Sequence, residues 1–401
     1  MKFDFKRKVL KNGMTIILEK RSLPIVSVAF AVRAGGINES PEEKGISHFI
    51  EHMLYKGTST RSAKQIANEI EKNGGDLNGF TSEEITAYWC KMPSEHLKTA
   101  LEVLSDMVKN PLLDGKELEK ERKVIFEEIK MNKDTPMLHV FKKMQGTLYS
   151  GTMGVPVIGT YGTMNSIDRK KIVGKFKKIY QPNNMILCVV GNADFNEIVK
   201  FAENNFGDEK GEIPEQKFNL KNEEKIEERK GIDQSNLVFA YHIPLAEDRK
   251  NYAAQVLITM MADGLSSRLF QEIREKRNLA YAVTGGSEIT KNYAHSFIYV
   301  GTMRENIELV KKLIIEEFEK VAESLDEKEF DEVKKQMIGN YKISMEDSQI
   351  QMVNLLCHEV DGRVEDFYEF EKNIQGVQLA DVKGLAEKAS KEFSFFALVP
   401  E

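Results

Sequence analysis

Two of the seven histidines in this 401-residue sequence lie four residues apart, in His48-Phe49-Ile50-Glu51-His52. On a helix at about 100° per residue, His48, Glu51 and His52 fall near 0°, 300° and 40°, on one stripe. Ile46, Phe49, Ile50, Met53 and Leu54 make the rest of the stretch apolar. The helix is therefore expected to be buried, with two imidazoles and a carboxylate as its polar stripe. Two His at i and i+4 can reach one tetrahedral metal ion. A Glu beside the second can take a proton from water that the metal activates. The competing reading is a pair of core histidines satisfied by hydrogen bonds.

A hydrolytic zinc site needs a third protein ligand and an open position. On a helix through 118–129, Glu121 and Glu128 fall on the apolar side, two turns apart, flanked by Val124 and Ile125. Glu127 falls between Lys120 and Lys123, toward solvent. Buried acids need a partner, and a metal with its histidines would supply one. Alternatively, both acids sit at the rim of the apolar arc and reach out to water. A closed structural zinc site would need a fourth protein ligand, and no nearby Cys or His offers itself. His96, His139, His242, His295 and His358 are isolated in sequence and read as ordinary histidines.

The elements that would position these residues follow from pattern. Strands are expected on both sides of Asn12-Gly13, at 26–32 and at 185–190. Helices are expected at Ile46–Leu54, 63–72, 95–108, 118–133, 170–179 and 195–204. The stretch 208–231 is dense in Lys and Glu with almost no periodicity, and reads as a solvated linker. A second series follows: a strand at 236–242, helices at 252–261, 305–322 and 327–345, and a strand at Ser394–Pro400. Both halves run strand, helices, strand. The expected fold is α+β, with two similar α/β domains of about 200 residues each at 1–207 and 232–401. Each would carry a mixed or antiparallel sheet packed by helices.

Composition narrows the class. With 57 basic and 63 acidic residues the net charge is −6, which argues against a nucleic-acid binder. Cys90, Cys188 and Cys357 are too few and too scattered for a disulfide scaffold, and fit a reducing compartment. The first residues lack the apolar core of a signal peptide, and Asp4 is unlike a transit peptide. No apolar run has the length of a membrane span. The expectation is a soluble, cytoplasmic, prokaryotic protein.

The pentapeptide is an H-x-x-E-H inverzincin signature. Its surroundings, Gly45 to Thr58, closely resemble the pitrilysin family of zinc metallopeptidases, which includes insulin-degrading enzyme and the mitochondrial processing peptidase. The resemblance implies a third zinc ligand about 76 residues beyond the second His, which falls on Glu128, and a supporting acid at Glu121. Gly74-Gly75-Asp76-Leu77-Asn78-Gly79-Phe80-Thr81 resembles the family's edge strand, which pairs with the substrate backbone. Asn78 and Phe80 match positions near the pocket beyond the scissile bond. Family members often carry Ala where this chain has Gly79, a departure that bears on the strand or on side-chain preference. The stretches 154–160 and 180–185 also match family landmarks. In the second half, 266–281 matches the family's Arg and Tyr pair, here Arg274 and Tyr281.

What the resemblance implies is a zinc endopeptidase with one Zn²⁺ per chain, a site that cobalt or manganese could also occupy. His48, His52 and Glu128 would bind the metal, with Glu121 in support. Glu51 would be the general base, and Arg274 and Tyr281 would hold the substrate and its developing oxyanion. Asn78 and Phe80 would line the approach, and substrate would sit between domains. Working units in the family enclose a chamber with four such domains, so a two-domain chain carrying both residue sets implies a homodimer acting on peptides or unfolded segments. No nucleic acid or membrane partner is expected. The alternatives are a catalytically inactive scaffold or a peptide-binding chamber of the same fold.

Overall fold

The protein, described here from a computed structural model over residues 3–401, divides into two units that interleave along the chain. The first takes residues up to Lys130, Val155–Lys217 and Ser344–Val360; the second takes Met131–Gly154, Phe218–Ile343 and Asp361–Glu401.

The first unit is built on a six-stranded sheet. Its strands are β1 (Asp4–Val9), β2 (Thr15–Lys20), β3 (Ile25–Val32), β4 (Asp76–Thr81), β5 (Thr86–Pro93) and β6 (Met185–Gly191). They lie in the order β1-β2-β6-β3-β5-β4, with only β2 and β6 parallel. Asn12-Gly13 makes the β1–β2 turn: Gly13 takes φ +92°, and the Asn12 side chain accepts the Met14 N–H at 3.1 Å.

The second unit carries β7 (Glu224–Arg229), β8 (Ser235–His242), β9 (Ala280–Ile289), β10 (Ala294–Thr302) and β11 (Ser394–Pro400), in the order β7-β11-β8-β10-β9. Here β7 and β11 are parallel and the other pairs antiparallel. This sequence of pairings equals β2-β6-β3-β5-β4 of the first unit, so the two units share one plan and the first adds β1 at its rim.

The run 208–231, expected to be a linker, ends in structure. Glu224–Arg229 is β7, an edge strand beside β11. Its charged side chains hid it, because an edge strand with solvent on most sides shows no apolar alternation.

The contiguous ranges 1–207 and 232–401 also differ from the compact units, because each unit takes one helix from the other half of the sequence. Pro136–Leu148 packs on β8 and β11 of the second unit. Ser348–Val360 packs on β3 and β6 of the first. The physical reason is visible in the strands. Val26 to Val32 and all of β6 are buried, as are β8 and β11 over almost their whole length. A strand buried on both pleat faces needs cover on both faces. The transferred helix supplies the second cover, and polar contacts fix it. Glu359, within Ser348–Val360, accepts from Arg7 at 2.8 Å and from Arg33 at 2.7 Å, and Gln351 donates to Glu19 at 2.6 Å.

Candidate metal centre

The helix that carries His48, Glu51 and His52 spans Ile46–Leu54, and Ile46, Phe49, Ile50, Met53 and Leu54 are all buried in the first unit's core. Its N-cap is Gly45, at φ +99°, where an added Cβ would lie 2.3 Å from Met164 Cε and 2.8 Å from the Ile158 carbonyl. Glycine is thus required there by both conformation and space, and it has no side chain to cap the helix. Glu39, fully buried, does the capping from six residues upstream. Its two oxygens accept the backbone N–H groups of Gly45 at 2.8 Å and Ser47 at 2.7 Å. Burial pushes the Glu39 carboxyl up to about 7, against the opposing Lys44 charge and these hydrogen bonds.

The second contributing helix is Gly115–Asp134. On it Glu121 is buried, Glu128 is partly buried and Glu127 is exposed; Val124, expected on the apolar arc, is 43% exposed. One ligand atom each from His48, His52 and Glu128 lies within 4.8 Å of the others, and this is the one such group among the described residues. His48 Nε2 is 3.7 Å from Glu128 Oε2, and His52 Nε2 is 3.6 Å from Glu128 Oε1. Zinc bonds of about 2.0–2.1 Å at tetrahedral angles would put neighbouring ligand atoms roughly 3.3 Å apart, so the set fits a zinc ion with little adjustment.

The surroundings orient this set. His52 Nδ1 is 3.1 Å from Glu121 Oε2, leaving Nε2 to face Glu128. Lys56, one turn beyond His52, pairs with the other Glu121 oxygen at 2.7 Å. A carboxylate behind a ligating imidazole fixes its tautomer and raises its basicity. Burial works against a charged His52, but the Glu128, Glu121 and Glu51 carboxylates outweigh it and raise its pKa. The His52 hydrogen bond holds the Glu128 carboxyl below its usual range, against burial.

Glu51 lies on the same helical stripe. Its Oε2 accepts from Thr81 Oγ1 at 2.5 Å. Burial raises its pKa above the ordinary carboxylate range, partly offset by the Thr81 bond and the His52 charge. Thr81 ends β4, the sheet's edge strand. Strand alternation puts Leu77, Gly79 and Thr81 on the face toward the helix Ile46–Leu54, and Asn78 and Phe80 on the opposite face. Asn78 is exposed and Phe80 partly buried. The residues of this strand beside Glu51 are therefore Thr81 and Gly79. Thr81 is a polar residue at the period-two offset from Gly79, and that alternation is the signal that could have singled it out.

Arg274 and Tyr281 belong to the second unit. Arg274 is exposed, with its guanidinium 4.7 Å from the Phe270 ring centre. Its neighbour Glu272 pairs with Lys276 and Arg277 instead. Tyr281 is 48% exposed near the start of β9, the edge strand of its sheet. The β9–β10 register jumps from Ala282↔Gly301 to Ala280↔Thr302, so Tyr281 is the extra residue of a β-bulge. Its ring lies over Gly301, where any Cβ would meet it at 2.4 Å.

The other histidines are less isolated in space than in sequence. His242 and His295 face each other across β8 and β10, and Tyr149 Oη lies 3.0 Å from His295 Nδ1. Burial, reinforced by the His242 charge, drives the His295 pKa down to about 3. His139 pairs with Glu227 at 3.0 Å. No helix among the described residues is long and apolar enough to cross a membrane.

Residues 15–161 match the family model described as insulinase (peptidase family M16), and residues 166–337 match the model described as peptidase M16 inactive domain. An uncharacterized zinc protease of Rickettsia felis is 33% identical, over 86% of this chain and 85% of its own. The uncharacterized zinc protease YmxG of Bacillus subtilis is 32% identical, over 98% of both. Among solved structures, a protease from Helicobacter pylori superposes with a TM-score of 0.92 at 20% identity, over 99% of this chain and 100% of that one. An M16-like peptidase from Alicyclobacillus acidocaldarius superposes with a TM-score of 0.87 at 18% identity, over 100% and 99%. Relatives of this similarity over nearly the whole chain, together with two matching family models, place the protein in the M16 family of metallopeptidases.

Proposed function

We propose that this chain is a zinc-dependent endopeptidase in which His48, His52 and Glu128 hold the metal and Glu51 is the general base. The observation that carries this reading is the convergence of three ligand atoms within 4.8 Å, with Glu51 on the same helical stripe. A zinc ion held there would supply a Lewis acid for the scissile carbonyl and for the attacking water. Glu51 takes the proton of that water and then gives it to the leaving amine. Thr81 holds the Glu51 carboxylate, and Glu121 holds His52.

The free edge of β4 suits an extended peptide added as a further strand, with Asn78 and Phe80 beside it. Arg274 and Tyr281 are proposed to stabilise the oxyanion, as a cation and a phenol can. The bulge at Tyr281 favours this role, because bulges re-aim side chains and are common beside active sites. With both residue sets on one chain, the working form is proposed to be a homodimeric chamber that admits peptides and unfolded segments.

The test is cleavage of a fluorogenic peptide with and without chelator, with metal content measured on the same sample. Cleavage should stop on chelation and return with zinc. Glu51→Gln should keep the metal and lose about 10²–10⁴-fold in kcat. Turnover at the wild-type rate in Glu51→Gln would remove Glu51 from the base role.

A further inference from the structure

Gly79 lies on β4 beside Glu51, and the structure shows what fills the space next to it. A Cβ on Gly79 would lie 2.5 Å from the Tyr55 hydroxyl, 2.8 Å from the Ala87 carbonyl and 3.4 Å from Glu51 Oε1. The Tyr55 oxygen and Glu51 Oε1 thus flank the same point. Tyr55 follows Glu51 by four residues, which puts the two side chains on one face of the same segment.

The Tyr55 hydroxyl is buried, and it has no hydrogen-bond partner among the described residues. A buried, unpartnered hydroxyl is destabilising, and phenylalanine would keep the ring without that cost. Burial, and then the Glu51 charge, raise the phenol's pKa well above its ordinary value, so the group stays a donor. Glu51 Oε2 is already held by Thr81, whereas Oε1 faces the Tyr55 side. Catalytic hydrogen bonds are often long before substrate arrives and tighten in the complex.

We infer that Tyr55 is a positioning residue for Glu51: with a peptide along β4, its hydroxyl donates to Glu51 Oε1, and Gly79 exists to leave it room. The inference rests on the reading of Glu51 as the general base. Thr81 and Tyr55 then grip the carboxylate from its two oxygens, fixing its plane toward the attacking water. The missing side chain at Gly79 and the Tyr55 hydroxyl become one feature, because the oxygen occupies the space a Cβ would need.

The experiment is a double-mutant cycle on the zinc-loaded enzyme, with kcat, KM, zinc content and Tm measured for each variant. Tyr55→Phe should lower kcat about 10- to 100-fold, the worth of one hydrogen bond to a charged group, with KM nearly unchanged. Zinc content should stay at the wild-type level, and Tm should hold or rise, because an unpartnered polar group is gone. Gly79→Ala should lower both kcat and Tm by driving a methyl into the hydroxyl. In the double variant Tm should recover most of that loss, the remainder reflecting the Ala87 carbonyl. Unchanged kcat in Tyr55→Phe, or a fall in Tm that accompanies equal losses in every parameter, would overturn the inference. Additive Tm losses in the double variant would overturn the exchange of methyl for oxygen. Glu51→Gln run alongside separates the two levels. If it is inactive while Tyr55→Phe is wild type, only the Tyr55 assignment fails; if it turns over normally, the base assignment fails and the inference with it.

Discussion

The pH dependence of folding should expose the clamp that Glu39 places on the helix Ile46–Leu54. Its carboxyl is fully buried and accepts the N–H groups of Gly45 and Ser47. Burial raises its pKa from 4.5 to about 7. The folded protein therefore binds this proton more tightly than the unfolded chain does. The associated stability is fully present below about pH 4.5 and is lost as pH rises to about 7. A shift of that size is worth about 3 kcal/mol at 1.36 kcal/mol per unit. Glu39→Gln removes the titration and keeps one acceptor, so whatever its hydrogen bonds are worth, they do not change with pH. The quantity to measure is the unfolding free energy of wild type minus that of Glu39→Gln, by urea at a series of pH values with chelator present. Other groups facing this carboxyl, Lys44 and Lys175 among them, are common to both proteins and cancel in the difference. The single tryptophan, Trp89 on β5, reports on the first unit. The difference should fall by about 3 kcal/mol between pH 4.5 and 7 and be flat above. A difference independent of pH, or one that rises with pH, would show that the two N–H bonds outweigh the burial of the charge, and would refute the argument.

Three further outcomes are expected. Glu128→Gln should reduce zinc content by about 10-fold or more, whereas Glu127→Gln, on the exposed side, should bind zinc like wild type; inductively coupled plasma analysis of the two proteins decides, and the reverse result would mean the helix register is wrong. Tyr281→Phe should lower kcat by about 10²–10³-fold with metal content unchanged, as expected for loss of one oxyanion donor, and unchanged kinetics would leave Tyr281 as a packing residue. Glu359→Ala removes the partner of the partly exposed Arg33 and Arg7 and should destabilise the first unit by about 1–3 kcal/mol, read by Trp89 fluorescence in urea; a loss below about 0.5 kcal/mol would assign the pair no structural weight.

Much of the site is legible in the sequence because helical geometry is local. The spacing of His48, Glu51 and His52 fixes their shared stripe, and the same arithmetic separates Glu128 from Glu127. What spacing does not encode is contact across elements. Thr81 reaches Glu51 only because β4 lies against the helix that carries Glu51. Glu39 caps that helix through a loop, with no local capping signal at Gly45. The strand Glu224–Arg229 was hidden by its charge, and the paired histidines His242 and His295 by their separation of 53 positions, closed only by the register of β8 and β10. The buried strands β3 and β6 do announce in sequence that both their faces are covered, but not which helix covers the second.

That exchange of helices bears on the order in which the protein can be made. The sheet packed by the helix Ile46–Leu54 begins at Asp4, yet its cover ends at Val360. During synthesis the apolar faces of β3 and β6 must wait until residue 360 has left the ribosome. The second unit, in turn, needs Pro136–Leu148, made long before β8 and β11. Neither half of the sequence carries all the cover its own sheet needs, so each sheet stays uncovered on one face until the other half has been made. Cutting it at the charged connection and expressing the halves apart would therefore yield two uncovered sheets, each missing a helix that only the other half encodes.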